Sequence, residues 1–536
     1  MKLSQRIEQA FTRYKNKPAL SHYASSSSLH TLTYGQLEEQ VSELAHFLNK
    51  HGMQPHDNIM NYMNKSLGSV VAILATMLNG GYACSLSSKL KPHQAIKLSA
   101  LAKPKFIILD QSTVNQIVKS EDAMGSDNQF ILYSETPEIV LKESSIRTAN
   151  VFQQRICHVP DVMRDDGVFS QHSYGTGRPG YCLFTSGSTG RQKGVLISRD
   201  DLVQRVSTEI EDYEITDADC LLSLLPFSFD VGLNQLLASV LSGAHLVILN
   251  SWFPNDVVKA IKYLGVSGIS AVPTIWADML SFPRDQKFGE NISTLRYITV
   301  SGGDLGQKYL IQLKQYFGRV NIYKTYGQSE TFRSSILKPH NYEDKMTSVG
   351  QPVKGTRVFI LREHDTVALP DEEGEIIHYG AGTMLRYINE VEGSREKLGE
   401  IPLSLKPTLT EGRVVFTGDR GKIDRDGFLY VLGREDGMIK TMGFRVYPKE
   451  IENCLLEHPL VKRAAVVGVP DNRKGQVPIA EVVSENTLDK KELITYLRER
   501  LPYYMVPDDL YIVENLPLAE NGKIRYAEIK RKYDNS

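Results

Sequence analysis

Apolar residues recur along this chain at two different spacings, and the two spacings alternate for most of its length. Residues 33–50 carry apolar side chains at helical spacing, with Thr33 as the predicted N-cap. Residues 70–78 predict a second, apolar core helix that ends at two glycines. The segment Phe-Ile-Ile-Leu-Asp at 106–110 predicts a buried parallel strand. Between 221 and 300, short β-prone runs alternate with helical segments, which predicts a layered α/β domain with a largely parallel sheet.

The pattern changes in the second half of the chain. Residues 348–433 show short strands separated by glycine turns, which predicts a β-rich subdomain. The last hundred residues mix helical and strand patterns, and 437–443 is the predicted connection to them. We therefore predict a large N-terminal domain over 1–435 and a small, mobile α+β domain over 436–536. The weak, polar pattern of 120–179 predicts long loops.

Composition narrows the class of protein without naming an activity. With 536 residues, the chain is too long for a single hydrophobic core. A formal charge of −1 provides no general attraction to nucleic acid or to an anionic membrane. Five scattered cysteines without a Cys-x-x-Cys pair favour neither a zinc site nor a disulfide framework. No secretory signal opens the chain, so we predict a cytoplasmic protein with no nucleic-acid or membrane partner.

The most informative segment is a loop of small polar residues that follows the strand-like run at 181–184. Backbone N–H groups and hydroxyls in such a loop can surround an anion, and a nearby lysine adds positive charge. The candidate phosphate-binding residues are Thr185, Ser186, Gly187, Ser188, Thr189, Gly190 and Lys193. A Walker loop is excluded, because Gln192 stands where its second glycine belongs. The Gly-x-Gly-x-x-Gly pattern at 175–180 neither follows a predicted strand nor precedes a predicted helix, which disfavours a dinucleotide site there. For the loop that begins at Thr185, the remaining alternative to phosphate binding is a simple surface loop.

Six segments in this order resemble the motifs of the adenylate-forming superfamily, which includes acyl-CoA ligases, luciferases and the adenylation domains of peptide synthetases. They are 78–85, 183–194, Tyr-Gly-Gln-Ser-Glu-Thr at 326–331, Phe-Thr-Gly-Asp at 416–419, the pair 433–436 with 440–445, and Asn-Gly-Lys at 521–523. The resemblance covers the whole chain. It implies attack of a carboxylate on the α-phosphate of ATP, with Mg²⁺ present, and then transfer of the acyl group to a thiol.

The resemblance also implies roles for single residues. Lys523 would stabilise the adenylation transition state, and Glu330 would hold Mg²⁺, together with Thr185 or Thr189. Outside the loop, the residues assigned to ATP are Gly302, Gly303, Tyr326, Gly327, Asp419 and Arg434. Asp419 suits the two ribose hydroxyls because a carboxylate has two acceptor oxygens. Asp436 would be the hinge of the mobile domain, and Gly443 would line the thiol channel.

Asp230 is the residue that indicates which class of carboxylate the protein activates. In amino-acid-activating members of the superfamily, a Phe-Asp at this point binds the substrate ammonium; the alternative is that Asp230 caps the following helix. The other predicted wall positions are Val231, Asn234, Thr274, Thr299, Ser301, Thr325, Arg333 and Ser334. Arg333 is unusual, and it could bind a second anionic group, fill the pocket or pair with an acid. We predict a small amino acid such as glycine or alanine.

The chain ends thirteen residues after Lys523, so we expect a freestanding ligase that resembles D-alanine–carrier-protein ligases and, more loosely, the glycine-activating ligase of lipid A modification. The predicted acceptor is the phosphopantetheine thiol of a separate carrier protein. One alternative is an acyl- or aryl-CoA ligase that uses CoA. Another is a non-catalytic binding protein with a ligase fold, which the presence of Lys523, Glu330 and Asp419 disfavours.

Overall fold

The computed structural model describes most of the chain. The described residues are 2–25, 28–119, 129–132, 156–158, 177–186, 192–282, 292–388, 397–434, 437–441, 444–471, 474–484 and 488–534.

The described helices and strands alternate in the first half of the chain, and strands dominate in the second half. The α-helices are α1 Leu3–Arg13, α2 Tyr34–Lys50, α3 Leu67–Leu78, α4 Pro92–Ala102, α5 Gln111–Lys119, α6 Arg199–Asp212, α7 Asp230–Ser242, α8 Pro254–Leu264, α9 Pro273–Leu280, α10 Gln307–Phe317, α11 Tyr342–Lys345, α12 Pro448–Glu457, α13 Lys490–Arg498 and α14 Tyr526–Tyr533. The first strands are β1 Pro18–Ser25, β2 Ser28–Thr33, β3 Asn58–Met63, β4 Tyr82–Ser87, β5 Phe106–Leu109, β6 Gln129–Leu132, β7 Ile156–His158, β8 Pro179–Ser186, β9 Gln192–Ser198, β10 Cys220–Ser223, β11 His245–Leu249, β12 Gly268–Ala271, β13 Tyr297–Val300 and β14 Asn321–Tyr326. The remaining strands are β15 Ser335–Leu337, β16 Gln351–Pro352, β17 Thr356–Arg362, β18 Thr366–Val367, β19 Gly374–Gly380, β20 Arg386–Tyr387, β21 Leu398–Glu400, β22 Arg413–Ile423, β23 Leu429–Arg434, β24 Ile439–Thr441, β25 Phe444–Val446, β26 Val461–Asp471, β27 Gly475–Ser484 and β28 Asp509–Ile512.

Two large sheets and a smaller antiparallel sheet make up the N-terminal part. Within the described residues, one large sheet has the order β16-β15-β14-β13-β12-β10-β11-β1-β2, and its central strands are parallel. The other has the order β20-β9-β8-β4-β3-β5-β6-β7 and is parallel from β8 to β7. The antiparallel sheet is built on β17, β19 and β22. This architecture confirms the predicted layered α/β fold with a β-rich subdomain.

Helix α3 belongs to the core that joins the two large sheets. All of its residues are buried, and its N-cap is Ser66, whose hydroxyl accepts a hydrogen bond from Ser69 N at 3.2 Å. Its side chains cluster with strand residues of both sheets, for example Ile59 and Leu246. Burial of each large apolar side chain contributes about 1.5–3 kcal/mol, so a helix without a polar face is stable only in this position.

The last sheet, with the order β25-β24-β27-β26 and with β28 beside β27, belongs to the small C-terminal domain. Strands up to Arg434 pair with the N-terminal sheets, whereas those from Ile439 onward pair in this last sheet. The predicted boundary at 435–436 lies outside the described residues and stays a prediction. The C-terminal domain contacts α9, where Arg463 forms an ion pair with Asp278.

The prediction of long loops over 120–179 was wrong where two short strands form, and the predicted connection at 437–443 contains a further strand. Residues predicted as loops include the short strands β6 and β7, which extend a parallel sheet. The predicted connection at 437–443 includes β24, which pairs with β25 and β27. Strands of three or four residues carry too little pattern for recognition, because their stability depends on the neighbouring strand. Of the helices that the structure describes, none has the length and apolar character needed to cross a lipid bilayer.

Candidate active site

The predicted phosphate loop connects two antiparallel strands. Thr185 on β8 pairs with Lys193 on β9, so both side chains flank the loop at the end of the hairpin. The Lys193 ammonium lies 4.9 Å from the centre of the Tyr387 ring. The loop residues Gly187, Ser188, Thr189 and Gly190 lie outside the described residues, and the side chain of Ser186 is not described either. Their role in ATP binding stays a prediction.

Glu330 is connected to the same hairpin through Tyr387. The Tyr387 hydroxyl donates a hydrogen bond to Glu330 Oε1 at 2.7 Å. Tyr387 lies on β20, which pairs with β9 next to the loop. Lys193 and Glu330 therefore contact the same aromatic side chain from two distant parts of the sequence.

The chemistry of these donors fits Mg²⁺. Glu330 provides carboxylate oxygens, and Thr185 provides a hydroxyl. Among the residues with described positions, no three acidic, histidine or cysteine side chains converge on a possible metal site. Mg²⁺ is usually bound by one or two carboxylates together with substrate phosphates. Glu330 and Thr185 stay the predicted residues that would hold the ion.

Asp419 is buried at the centre of a polar network. Its Oδ2 accepts hydrogen bonds from the Tyr326 hydroxyl and from Gln328 Nε2, each at 2.7 Å. Arg434 lies opposite Asp419 on the neighbouring strand, with Nη1 3.5 Å from Oδ1. Burial raises the pKa of Asp419, and the positive charge of Arg434 opposes that rise. Sequence reasoning missed Gln328, although it lies within the Tyr-Gly-Gln-Ser-Glu motif.

Lys523 extends from the C-terminal domain into the N-terminal part. Gly522, which precedes it, has a φ of +80° and accepts a hydrogen bond from Thr274 Oγ1 at 2.8 Å. The Lys523 ammonium lies 5.0 Å from the centre of the Phe229 ring. Gly302 has a φ of +78°, and a Cβ there would lie 3.1 Å from Lys523 Cε. Only glycine allows the left-handed conformation and this close passage of the lysine together.

A small cavity of about 30 Å³ lies next to Lys523 and Phe229. Of the nine residues predicted for the substrate wall, seven line it, among them Asp230, Val231, Asn234, Thr299, Ser301 and Arg333. Gly302, Tyr326 and Gly327 line it as well, whereas Gly303 is exposed outside it. Thr325 also lines the cavity, but Thr274 contacts Gly522 instead, and Ser334 is hydrogen-bonded to His378. Sequence reasoning missed four lining residues: Glu209, Tyr213, Ser270 and Phe332.

Asp230 is buried at the start of α7. The N-cap residue of this helix is Phe229, and Asp230 Oδ1 accepts a hydrogen bond from Val231 N at 2.8 Å, so the N-cap alternative is wrong. A Cβ on Gly232 would lie 2.3 Å from Pro226 O, so glycine is required where α7 begins against the preceding turn. Burial raises the pKa of Asp230, and the charge of Lys523 opposes the rise. Asp230 forms no ion pair with a side chain in the described part of the chain.

Arg333 pairs with acidic residues, as one of the three sequence hypotheses proposed. Its Nη1 donates a hydrogen bond to the Tyr213 hydroxyl at 2.8 Å and lies 3.8 Å from Glu209 Oε2. Its Nη2 lies 3.6 Å from Asp212 Oδ2. Only 5% of Arg333 is exposed, so the guanidinium occupies space at the wall of the cavity.

Residues 7–388 match the family model described as "AMP-binding enzyme", and residues 450–523 match the model of its C-terminal domain. The chain belongs to the AMP-binding enzyme family. This confirms the predicted adenylate-forming superfamily and the use of ATP, and it makes the protein an AMP-forming ligase. The Mg²⁺ that we predicted is typical of the family.

The enzyme is similar to ligases with different substrates. It is 26% identical over 504 residues to a 2-succinylbenzoate–CoA ligase of Bacillus cereus, covering 93% of each chain. It is 25% identical over 496 residues to bacitracin synthase 3 of Bacillus licheniformis, covering 92% of this chain and 7% of that one. Its fold matches ATP-bound MatB from Rhodopseudomonas palustris with a TM-score of 0.84 at 22% identity, covering 100% of this chain and 99% of that one.

The network around Asp419 gives a prediction for this AMP-binding enzyme. Tyr326→Phe removes one of two donors to Asp419 Oδ2. Because loss of a hydrogen bond to a charged group costs about 1.5–3 kcal/mol, we expect the KM for ATP to rise about ten- to a hundredfold. Adding Gln328→Ala should raise it further, since no second donor then holds that oxygen. Initial rates of pyrophosphate exchange at varied ATP measure both effects. Tyr503→Phe, at an exposed position, is the control, and an unchanged KM in both site variants would contradict the prediction.

Proposed function

We propose that this enzyme activates a small amino acid, with glycine or alanine favoured, and transfers it to the phosphopantetheine thiol of a separate carrier protein. The observation that carries the proposal is Asp230, a buried carboxylate in the cavity wall with no cation paired to it among the described side chains. A buried carboxylate is costly unless a cation or several hydrogen bonds compensate it. The ammonium group of an amino acid is a compact cation of the right charge.

The size of the cavity supports a small side chain. A buried water needs roughly 10–15 Å³ of such space, so a cavity of about 30 Å³ has room for about two or three heavy atoms. The ammonium and α-carbon of glycine meet this limit, and so do those of alanine with its methyl group. Lining hydroxyls, including Ser301 Oγ and Thr325 Oγ1 at 2.7 Å from each other, add to the polar character of the wall.

In the proposed first step, a carboxylate oxygen of the substrate attacks the α-phosphorus of ATP. The bond between the α-phosphorus and the bridging oxygen breaks, and pyrophosphate leaves with the electron pair. Asp230 would hold the substrate ammonium, while Lys523 approaches the cavity from the other domain, past Phe229 and Gly302. The lysine charge would offset the negative charge that builds on the phosphoryl oxygens. Asp419 would accept hydrogen bonds from the ribose hydroxyls.

In the proposed second step, the thiol sulfur of the acceptor attacks the carbonyl carbon of the aminoacyl-adenylate. The thiol proton is released, the bond from the carbonyl carbon to the phosphate oxygen breaks, and AMP leaves. The proposed hinge at Asp436 and the proposed thiol-channel residue Gly443 lie outside the described residues. Both roles stay predictions.

A second candidate is an acyl- or aryl-CoA ligase. The relative at 26% identity over 93% of the chain is named a 2-succinylbenzoate–CoA ligase, which favours a carboxylic acid without an amine, and CoA as the acceptor. Asp230 argues for the first candidate, because an amine-free acid would leave this buried carboxylate without a paired cation, with only the charge of Lys523 acting on it.

ATP–pyrophosphate exchange separates the two candidates. The panel contains glycine and alanine with their amine-free counterparts acetate and propionate, together with 2-succinylbenzoate and benzoate. The proposal predicts exchange with glycine or alanine, and exchange supported only by amine-free acids would overturn it. The acceptor is then identified by offering CoA or a phosphopantetheinylated carrier protein to the enzyme with its substrate and ATP, and by following thioester formation by mass spectrometry.

A further inference from the structure

Helix α6 brings acidic residues to the wall of the substrate cavity. Glu209 lines the cavity and is buried, and its carboxylate accepts no hydrogen bond from a side chain in the described part of the chain. Glu209 pairs with Arg333, with 3.8 Å between Oε2 and Nη1. Arg333 also pairs with Asp212 of the same helix, with 3.6 Å between Nη2 and Oδ2. The Nε and Nη2 atoms of Arg333 are buried and have no hydrogen-bond partner among the described groups. The guanidinium is thus held by its two ion pairs and by one hydrogen bond to the Tyr213 hydroxyl, and some of its N–H donors are unused.

The cluster supplies its own cations. Asp212 also pairs with Lys338, at 3.2 Å, so the carboxyl groups of Glu209 and Asp212 face the cations Arg333 and Lys338. The buried guanidinium of Arg205 also interacts electrostatically with Asp212. Although burial opposes it, the negative charges around Arg333 hold its pKa above the ordinary value. Burial raises the pKa of Glu209 to about 7, and Arg333 opposes that rise. A charged side chain of a substrate would find no free counter-ion here.

We propose that Glu209 and Asp212 form a cation site that Arg333 itself occupies, and that this internal cation restricts the enzyme to small, uncharged side chains. This inference depends on the proposed activation of an amino acid. Asp230 would bind the α-ammonium of the substrate, whereas the cluster of Glu209, Asp212 and Arg333 would limit the length of the substrate side chain. Glu209 and Arg333 are therefore specificity-determining residues, and removal of the guanidinium creates a site for a second ammonium group.

The test is Arg333→Ala, assayed by pyrophosphate exchange with glycine, alanine, norvaline and ornithine. Norvaline and ornithine share the same three-carbon side chain, but only ornithine ends in an ammonium. We expect the wild-type enzyme to use neither, and the variant to use ornithine about tenfold or more better than norvaline, because the ligand ammonium replaces the buried guanidinium beside the carboxylates. Equal use of both amino acids, or an unchanged substrate range, would overturn the inference.

The double variant Arg333→Ala, Glu209→Gln is the matched control. It has the same extra space as Arg333→Ala but lacks the Glu209 carboxylate that lines the cavity. Because the interaction of this carboxylate with the ligand ammonium is lost, the preference for ornithine over norvaline should fall to about twofold or less. A preference that survives in the double variant contradicts the role of Glu209. The melting temperature gives a second readout, since ornithine should raise it more than norvaline in Arg333→Ala, and should not do so in the double variant.

If Arg333→Ala does not fold, the variant Arg333→Lys tests the inference instead. Lysine keeps the positive charge between the acids and is shorter, so this variant should gain norvaline but not ornithine. The same range as the wild-type enzyme, or a gain of ornithine, would overturn the inference. Pyrophosphate exchange by the wild-type enzyme distinguishes failure of this inference from failure of the proposed function. Exchange with amine-free acids alone rejects the proposed function. Exchange with glycine or alanine, together with unchanged variants, rejects only the role of the α6 cluster.

Discussion

Replacing Lys523 with alanine is expected to lower amino-acid-dependent pyrophosphate exchange about 10²–10³-fold, the typical loss when one preorganised charge or donor is removed from a transition state. The structure supports this size of effect because the Lys523 ammonium reaches the Phe229 ring at the cavity from a different domain. Phosphoryl transfer depends mainly on positioned positive charge. The effect should appear in kcat more than in the KM for the amino acid.

The second half-reaction separates a catalytic role from a structural one. When the purified aminoacyl-adenylate is supplied with the thiol acceptor, Lys523→Ala should form thioester at a rate within about threefold of the wild-type rate, since the phosphoryl step is already complete. Lys491→Ala, at an exposed position on α13 of the same domain, is the control and should leave both half-reactions unchanged. Exchange at the wild-type rate in Lys523→Ala would contradict the proposed role.

Asp230→Asn is expected to lower kcat/KM for glycine or alanine in pyrophosphate exchange by about 10²–10³-fold, because removal of one partner of a buried ion pair costs about 3–5 kcal/mol. ATP binding, measured by calorimetry, should stay within about twofold, since Asp419 and its partners are unchanged. Discrimination between alanine and propionate should fall, because the site then lacks the charge that distinguishes an ammonium from a hydrogen. Asp344→Asn, at an exposed position, is the control.

The same carboxylate predicts a pH dependence of substrate binding. Burial raises the pKa of Asp230, so its charged form is lost at a higher pH than that of a free aspartate. Only the charged form pairs with an ammonium, and the KM for the amino acid should therefore rise as the pH falls toward the raised pKa. In Asp230→Asn this acid limb should disappear. A KM that falls with decreasing pH in the wild-type enzyme would contradict the assignment.

The sequence predicted long, strongly patterned elements well. The predicted helix over 33–50 is α2, and its predicted N-cap, Thr33, accepts a hydrogen bond from Gln36 N at 3.2 Å. This agreement has a local cause, because helical spacing and a capping side chain act within a few residues of the chain. The short strands β6, β7 and β24 were missed because each depends on a neighbouring strand, which local spacing does not specify.

The sequence alone supplied the predictions for residues whose chemistry suits the site: the phosphate-loop residues, Asp230, Asp419 and Lys523. Each stands in a short motif, which can be recognised from adjacent residues alone. Only the tertiary structure showed that Tyr387 contacts both Lys193 and Glu330. Only the tertiary structure placed Glu209 of α6 beside Arg333, far along the chain, at the wall of one cavity. The physical reason is that packing of separate sheets and helices determines these contacts, and a residue's sequence neighbours carry no information about which distant element will lie against it.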